Sequence, residues 1–407
     1  MGSQLNLAEI MEHDEKPLPL NMRTLGAFAE KCHAFAKALH YKELEFQQYP
    51  ATTVEALISI NNQLHQPEAA QGILVYAQQN LQLELKEPWY EKLQRWDDAL
   101  EAYTRKKLTS EDAAAVLEAA LGQMRCLSAL ARWEELGELC RDTWRSADNA
   151  ARFEMASIAA HGAWQLSNWS EMGEYVSVLD PEHGSAPVRH SAGRDTSMPS
   201  GASDGAFYSA VLSVHGRDFS TAQVRIEKAR ELLATELAAL VGESYERAYS
   251  NMVRVQQLAE LEEAIEYIKL DQMTGCSANH AKCAERKEII CEMWWNRLLG
   301  THRDVNVWQS LLAVRRLALP PSENLRTYLK FASLCRITKR IRQSRATLIG
   351  LLGYEPSKIG SIVPPADSPI PRPPPHAVLG YLKFLWSSGR QQEAYENLRA
   401  LTPELRR

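Results

Sequence analysis

Between Asn296 and Arg345 stand eleven basic residues: Arg297, Arg303, Arg315, Arg316, Arg326, Lys330, Arg336, Lys339, Arg340, Arg342 and Arg345. Only Asp304 and Glu323 oppose them, although the whole chain carries a net charge of −5. Guanidinium and ammonium groups bind phosphate through charge-assisted hydrogen bonds, so basic residues on successive helices could converge on one polyanion. A solvated face, or an edge that docks on an acidic partner, explains the same charges equally well. A second cluster, Cys276, His280, Cys283 and Cys291, supplies the soft atoms that zinc takes. Its spacing matches no standard zinc module and Cys291 reads as helical, so no metal is assigned. Paired carboxylates occur at Asp97-Asp98, Glu134-Glu135 and Glu262-Glu263. Each pair is expected at the start of a helix, where negative charge complements the helix dipole.

The catalytic signatures of other classes are missing from these 407 residues. There is no Gly-x-Gly-x-x-Gly or phosphate-cradling Gly-x-x-x-x-Gly-Lys-Ser/Thr loop, no kinase His-Arg-Asp or Asp-Phe-Gly element, and no Gly-x-Ser-x-Gly elbow. No catalytic residue is assigned.

The elements that would position the basic residues announce themselves by repetition. Trp96, Trp133 and Trp169 recur in the settings Leu93-Gln-Arg-Trp96-Asp-Asp-Ala99, Leu130-Ala-Arg-Trp133-Glu-Glu-Leu136 and Leu166-Ser-Asn-Trp169-Ser-Glu-Met172. A period in the mid-thirties is the signature of stacked helical hairpins, none of which buries its apolar face alone. Each tryptophan is expected to start a second helix and to plug the groove between neighbouring hairpins. The predicted fold is all-α, a TPR-like α-solenoid of stacked helical hairpins.

The expected organisation is an N-terminal extension over 1–23, repeats over 24–180, a Gly/Ser/Pro-rich insertion over 181–204 and repeats over 205–270. An inserted loop over 271–284 precedes basic repeats over 285–352, a Pro-rich loop over 353–375 and a last hairpin over 376–407. Within these, 24–47 reads as one long helix, 243–258 and 261–269 as a pair, and 285–299 as another helix. The Pro-rich loop ends in Pro371-Arg-Pro-Pro-Pro375 and cannot be regular helix.

Composition supports a globular chain, with 45% hydrophobic and 24% charged residues. The net negative charge argues against a general nucleic-acid binder. Seven scattered cysteines read as buried thiols rather than a disulfide frame. No run of 18 apolar residues is present, so no membrane span is expected. Met1-Gly-Ser-Gln-Leu-Asn6 lacks the basic and apolar regions of a secretory signal. A cytoplasmic location follows as the expectation, with the nucleus or the lysosome/vacuole surface reachable through complex partners.

Several blocks resemble the FAT domain of target-of-rapamycin kinases, in the same order and over about residues 5 to 400. They are Ala36-Lys-Ala-Leu-His-Tyr-Lys-Glu-Leu-Glu-Phe46, Leu57-Ile-Ser-Ile-Asn-Asn62, Trp89-Tyr-Glu-Lys-Leu93, Asp204-Gly-Ala-Phe-Tyr208, Gly242-Glu-Ser-Tyr245 and Glu288-Ile-Ile-Cys-Glu-Met-Trp-Trp-Asn-Arg297. The resemblance implies a scaffolding and regulatory solenoid that clamps the kinase domain of the same protein, in nutrient and growth signalling. It also implies subunits of the family's complexes as partners, and a chain that does not itself phosphorylate. No cofactor is required, but related FAT domains hold an inositol polyphosphate, typically inositol hexakisphosphate, as a structural ligand. By motif, Arg303, Lys330 and Lys383 fall on that family's basic positions. One further family lysine falls on Ile337, flanked here by Arg336 and Lys339, and the remaining ligands are expected beyond Arg407. A partial site is therefore expected. The rival expectation is a free-standing TPR-like adaptor that binds a protein or peptide on its concave face. The two differ at the last hairpin. An adaptor would be capped by polar terminal helices, whereas in a piece of a longer solenoid Leu382, Leu385, Trp386, Tyr395 and Leu398 are expected to lack the cover of a following repeat.

Overall fold

The computed structural model describes residues 21–32, 34–64, 66–80, 86–179, 201–241, 245–273, 280–359, 362–364 and 371–401. Among these the regular structure is entirely helical, with no strand. Two compact units divide the chain, Met1–Ala129 and Leu130–Arg407.

In the first unit, helices Met22–Lys31, Phe35–Gln48, Pro50–Gln63, Pro67–Asn80, Glu87–Lys92, Trp96–Thr109 and Ala113–Ala129 pack mainly on their neighbours in sequence. The single helix expected over 24–47 is two, broken at Cys32. The pieces fold back on each other, so that Ala29, Ala38, Tyr41 and Ile60 share one apolar cluster. Prolines at the first turns of Pro50–Gln63 and Glu87–Lys92 fit because the nitrogen there has no intrahelical acceptor. A second cluster gathers Ala99, Tyr103, Ala119 and Cys126. Gly122 is required there, since a Cβ would lie 2.5 Å from the Tyr103 ring.

In the second unit, hairpins continue with Trp133–Ser146, Asn149–Gln165, Trp169–Leu179, Gly201–His215 and Phe219–Val241. Then come Tyr245–Met273, His280–Gly300, Val305–Arg315, Leu325–Ile337, Ile341–Leu352, Pro356–Ile359, Pro375–Ser387 and Gln391–Leu401. Tyr245–Met273 is one helix of 29 residues where two were expected. The loop expected over 271–284 is shorter, since helix runs to Met273 and resumes at His280. Most of the 181–204 insertion lies outside the described residues, but helix already begins at Gly201. The 353–375 stretch contains the short helix Pro356–Ile359.

One turn recurs. Gln94, Ala131, Ser167, Arg217 and Lys339 all take left-handed backbone with φ of 55–62°, and Gly389 takes 86°. Each stands two residues before a helix that opens at Trp96, Trp133, Trp169, Phe219, Ile341 or Gln391. The residue after it donates its N–H five positions back, as in Arg95 to Tyr90, Asn168 to Ala163, Asp218 to Ser213, Arg340 to Cys335 and Arg390 to Leu385. This closes the preceding helix in the Schellman manner and aims the chain into the next.

The tryptophans open their helices as expected, but they are only half-buried. Ala99, Leu136 and Met172, three residues further on, are fully enclosed and anchor the repeats. Trp133 meets His161 edge-on at 5.2 Å, and Trp169 stacks on His215 at 3.8 Å. These three indoles roof their joints while the smaller side chains fill them.

Candidate polyanion-binding site

The basic stretch divides by what each side chain touches. Arg297 donates to Glu263 at 2.7 Å. Arg315, 1% exposed, forms two 2.7 Å bonds with the fully buried Glu260. Arg316 reaches the carbonyls of Trp164 and Gln165 at 3.2 and 3.0 Å, capping the end of Asn149–Gln165 from more than 150 positions away. Arg326 lies over the Trp295 ring at 3.9 Å, Arg340 donates to Asn306 at 2.9 Å, and Arg345 pairs with Glu355. These six are committed within the protein, so the stretch is not one surface awaiting a polyanion.

Five basic residues remain, and Lys383 joins them. Arg303, Lys330, Lys339, Arg342 and Lys383 are exposed, and Arg336 is half-buried. None of the six makes an ion pair among the described residues. The sole described side-chain bond of Arg336 is a 3.5 Å contact with Ser333.

Arg336 and Lys383 come together. They line a cleft of about 210 Å³ with His376, over a floor of Leu329, Ala332, Leu348 and Leu379. Leu325–Ile337 supplies Arg336, and Pro375–Ser387 supplies His376 and Lys383. These helices pack directly because Phe384, Leu385, Ala332 and Leu348 share a core. Arg303, Lys330 and Lys339 do not line this cleft. Arg303 sits in the turn before Val305–Arg315, Lys330 one position round the helix from Leu329, and Lys339 in the left-handed turn beyond Ile337. Ile337, between Arg336 and Lys339, is 70% exposed. Sequence reasoning missed His376; its signal was its place one residue after the helix-starting Pro375.

The other candidates resolve on geometry. Cys276 and the side chain of His280 lie outside the described residues. Cys283 and Cys291 stand eight residues apart on one helix, a separation of about 12 Å along the axis, so they cannot ligate one ion. Among the described residues no cluster of three or more His, Cys, Asp or Glu is placed to hold a metal. Burial pushes the Cys126, Cys140 and Cys335 thiols up to about 12, which removes them as nucleophiles. Asp97-Asp98 and Glu134-Glu135 do open helices, with Asp98 held by Arg95 at 2.8 Å and Glu135 by Arg132 at 2.6 Å. Glu262-Glu263 departs from that expectation, standing inside Tyr245–Met273. Glu262 accepts two bonds from Arg230, at 2.9 and 2.5 Å. Glu263 accepts from Arg297 and from the Trp294 indole, each at 2.7 Å. Asp98 and Glu135 brace their own first turns, whereas Glu262 and Glu263 tie their helix to its neighbours.

At the last hairpin, Leu382 and Leu385 are buried within the shared core, against the expectation that they lack cover. Leu379, Trp386, Tyr395 and Leu398 remain 46–56% exposed.

Such a molecule is a helical-repeat scaffold, carrying a small cationic cleft and none of the kinase catalytic elements. Residues 156–405 match the family model of the FAT domain, and the chain belongs to that family. It is 53% identical over its whole length to the serine/threonine-protein kinase TOR of Arabidopsis thaliana and 50% identical to that of Oryza sativa. It is 42% identical, over 97% of its length, to the serine/threonine-protein kinase mTor of Drosophila melanogaster. The chain spans 16% of the length of each plant relative and 14% of the Drosophila one, and it corresponds to their FAT region. Among the described residues no helix is long and apolar enough to cross a membrane.

Proposed function

We propose that this chain is the scaffolding and regulatory FAT solenoid of a target-of-rapamycin kinase, clamping and organising a kinase domain in cis within a cytoplasmic complex. Whole-length similarity to TOR kinases, joined to an architecture of stacked hairpins, carries this reading. The exposed Leu379, Trp386, Tyr395 and Leu398 favour it over a free-standing adaptor, whose terminal helices would present a polar outer face. In the full-length protein, deletion of this segment is expected to lower the yield of folded kinase domain and change its basal activity. Unchanged yield and activity would sink the clamp.

The cleft serves this role as part of an inositol polyphosphate site. Arg336 and Lys383 hold one edge of the ligand; Arg303, Lys330 and Lys339 belong to the same basic surface. Their uncommitted cations support that assignment. The ligand acts as structural cement between hairpins, not as a reactant. In the full-length protein, the pair Arg336→Glu and Lys383→Glu is expected to weaken inositol hexakisphosphate binding at least tenfold by calorimetry. Wild-type binding is expected to weaken steeply with salt. An unchanged affinity in the double variant would remove these two residues from the site.

A further inference from the structure

The segment Pro371-Arg-Pro-Pro-Pro375 is used by neither the repeat packing nor the basic cleft as argued above. It immediately precedes the body of the helix Pro375–Ser387. Its conformation follows from covalent chemistry. Each pyrrolidine ring fixes φ near −65°, and a residue that precedes proline is driven from helical to extended backbone. Arg372, Pro373 and Pro374 each precede a proline, and Pro374 indeed has φ −57° and ψ 136°, close to polyproline II.

That helix has three residues per turn, so it presents three edges. Pro371 and Pro374 share one and are exposed; Arg372 occupies the second and is exposed; Pro373 occupies the third and is half-buried, and Pro375 already opens the α-helix. One edge therefore lies against the protein while two face solvent. The segment is also anchored. The Pro374 carbonyl accepts the N–H groups of Ala377 at 2.9 Å and Val378 at 3.2 Å, and both these residues are buried in the core. Little conformational freedom is left to lose on binding. Arg372 makes no ion pair among the described residues.

We propose that Pro371–Pro374 is a docking ridge for an SH3-type domain of a separate protein. Parallel aromatic rings in the groove of such a domain take the Pro371/Pro374 edge, as they take proline-rich helices generally. The exposed guanidinium of Arg372 calls for an acidic patch beside that groove. The ridge would recruit a partner to the scaffold without involving the basic cleft, so the inference stands or falls apart from the proposed inositol polyphosphate site.

The test is a fluorescence titration of a panel of purified SH3 domains, with WW domains alongside, against the 407-residue chain. Binding by an SH3 domain is expected, weakened at least tenfold in Pro371→Ala/Pro374→Ala and again in Arg372→Glu, with Arg372→Lys partly restoring it. Thermal melts should show the variants folded; Arg372→Glu leaves every proline in place should the double variant melt early. The proposal is overturned if no SH3 domain in the panel binds, if only WW domains bind, or if a folded Pro371→Ala/Pro374→Ala chain binds as the wild type does.

Discussion

Glu260 and Arg315 sit 55 positions apart and meet in the interior with two bonds of 2.7 Å, while one Arg315 nitrogen has no partner. Burying both ions is expensive, and leaving one of them alone is worse. Glu260→Ala should therefore cost about 3–5 kcal/mol in urea unfolding, whereas Glu260→Leu with Arg315→Met should lose much less than either single change. Equal and additive losses would show that the pair is not coupled. His161 makes a pH prediction. Its burial, with the Arg254 guanidinium nearby, pushes the imidazole down to about 4 from an ordinary 6.5. Between those values the unfolded chain binds a proton that the folded chain refuses, so stability falls as pH drops from 6.5 towards 4. His161→Gln should flatten the Tm-against-pH curve over that window; an unchanged slope would assign it elsewhere. Little of this scale was legible beforehand. Arg315 and Arg316 counted towards the basic stretch, because spacing along the chain cannot show that a carboxylate 55 residues earlier, or two carbonyls about 150 residues earlier, already hold them.

At the scale of the element, the repeat was legible because each hairpin solves the same packing problem with the same few side chains. The tryptophan spacing located the second helices at Trp96, Trp133 and Trp169, yet mistook the roof of each joint for its plug. Small and medium side chains carry little signal singly, which is why Ala99, Leu136 and Met172 were read as context. Leu136→Ala is expected to cost about 2–5 kcal/mol, read by denaturant unfolding, since it leaves a cavity in a fully enclosed position. The left-handed turn was also unreadable, because five of its six occupants are not glycine. A non-glycine residue there bears a strain of roughly 1–2 kcal/mol, so Ser167→Gly should raise stability by up to about 1 kcal/mol in the same assay. A loss instead would mean that the serine side chain holds the turn.

For the whole molecule, the first unit packs chiefly neighbour on neighbour, while the second adds ties that skip along the chain. Arg316 to the end of Asn149–Gln165 and Gln257 to the Ser310 carbonyl at 2.9 Å are two of these. Such ties join helices of the second unit that stand far apart in sequence. The all-helical architecture was legible from periodicity, and the family from ordered blocks of residues; the break of the first helix was not. No proline or glycine marks the break at Cys32, and in 245–273 the absence of both is the signal of one continuous helix that was passed over. The central claim, that this body holds a TOR-type kinase domain, is tested most directly by adding the purified chain to the separately expressed kinase domain of the same protein. Co-sedimentation and a changed peptide-phosphorylation rate are predicted. Two independent sedimenting species and an unaltered rate would contradict it.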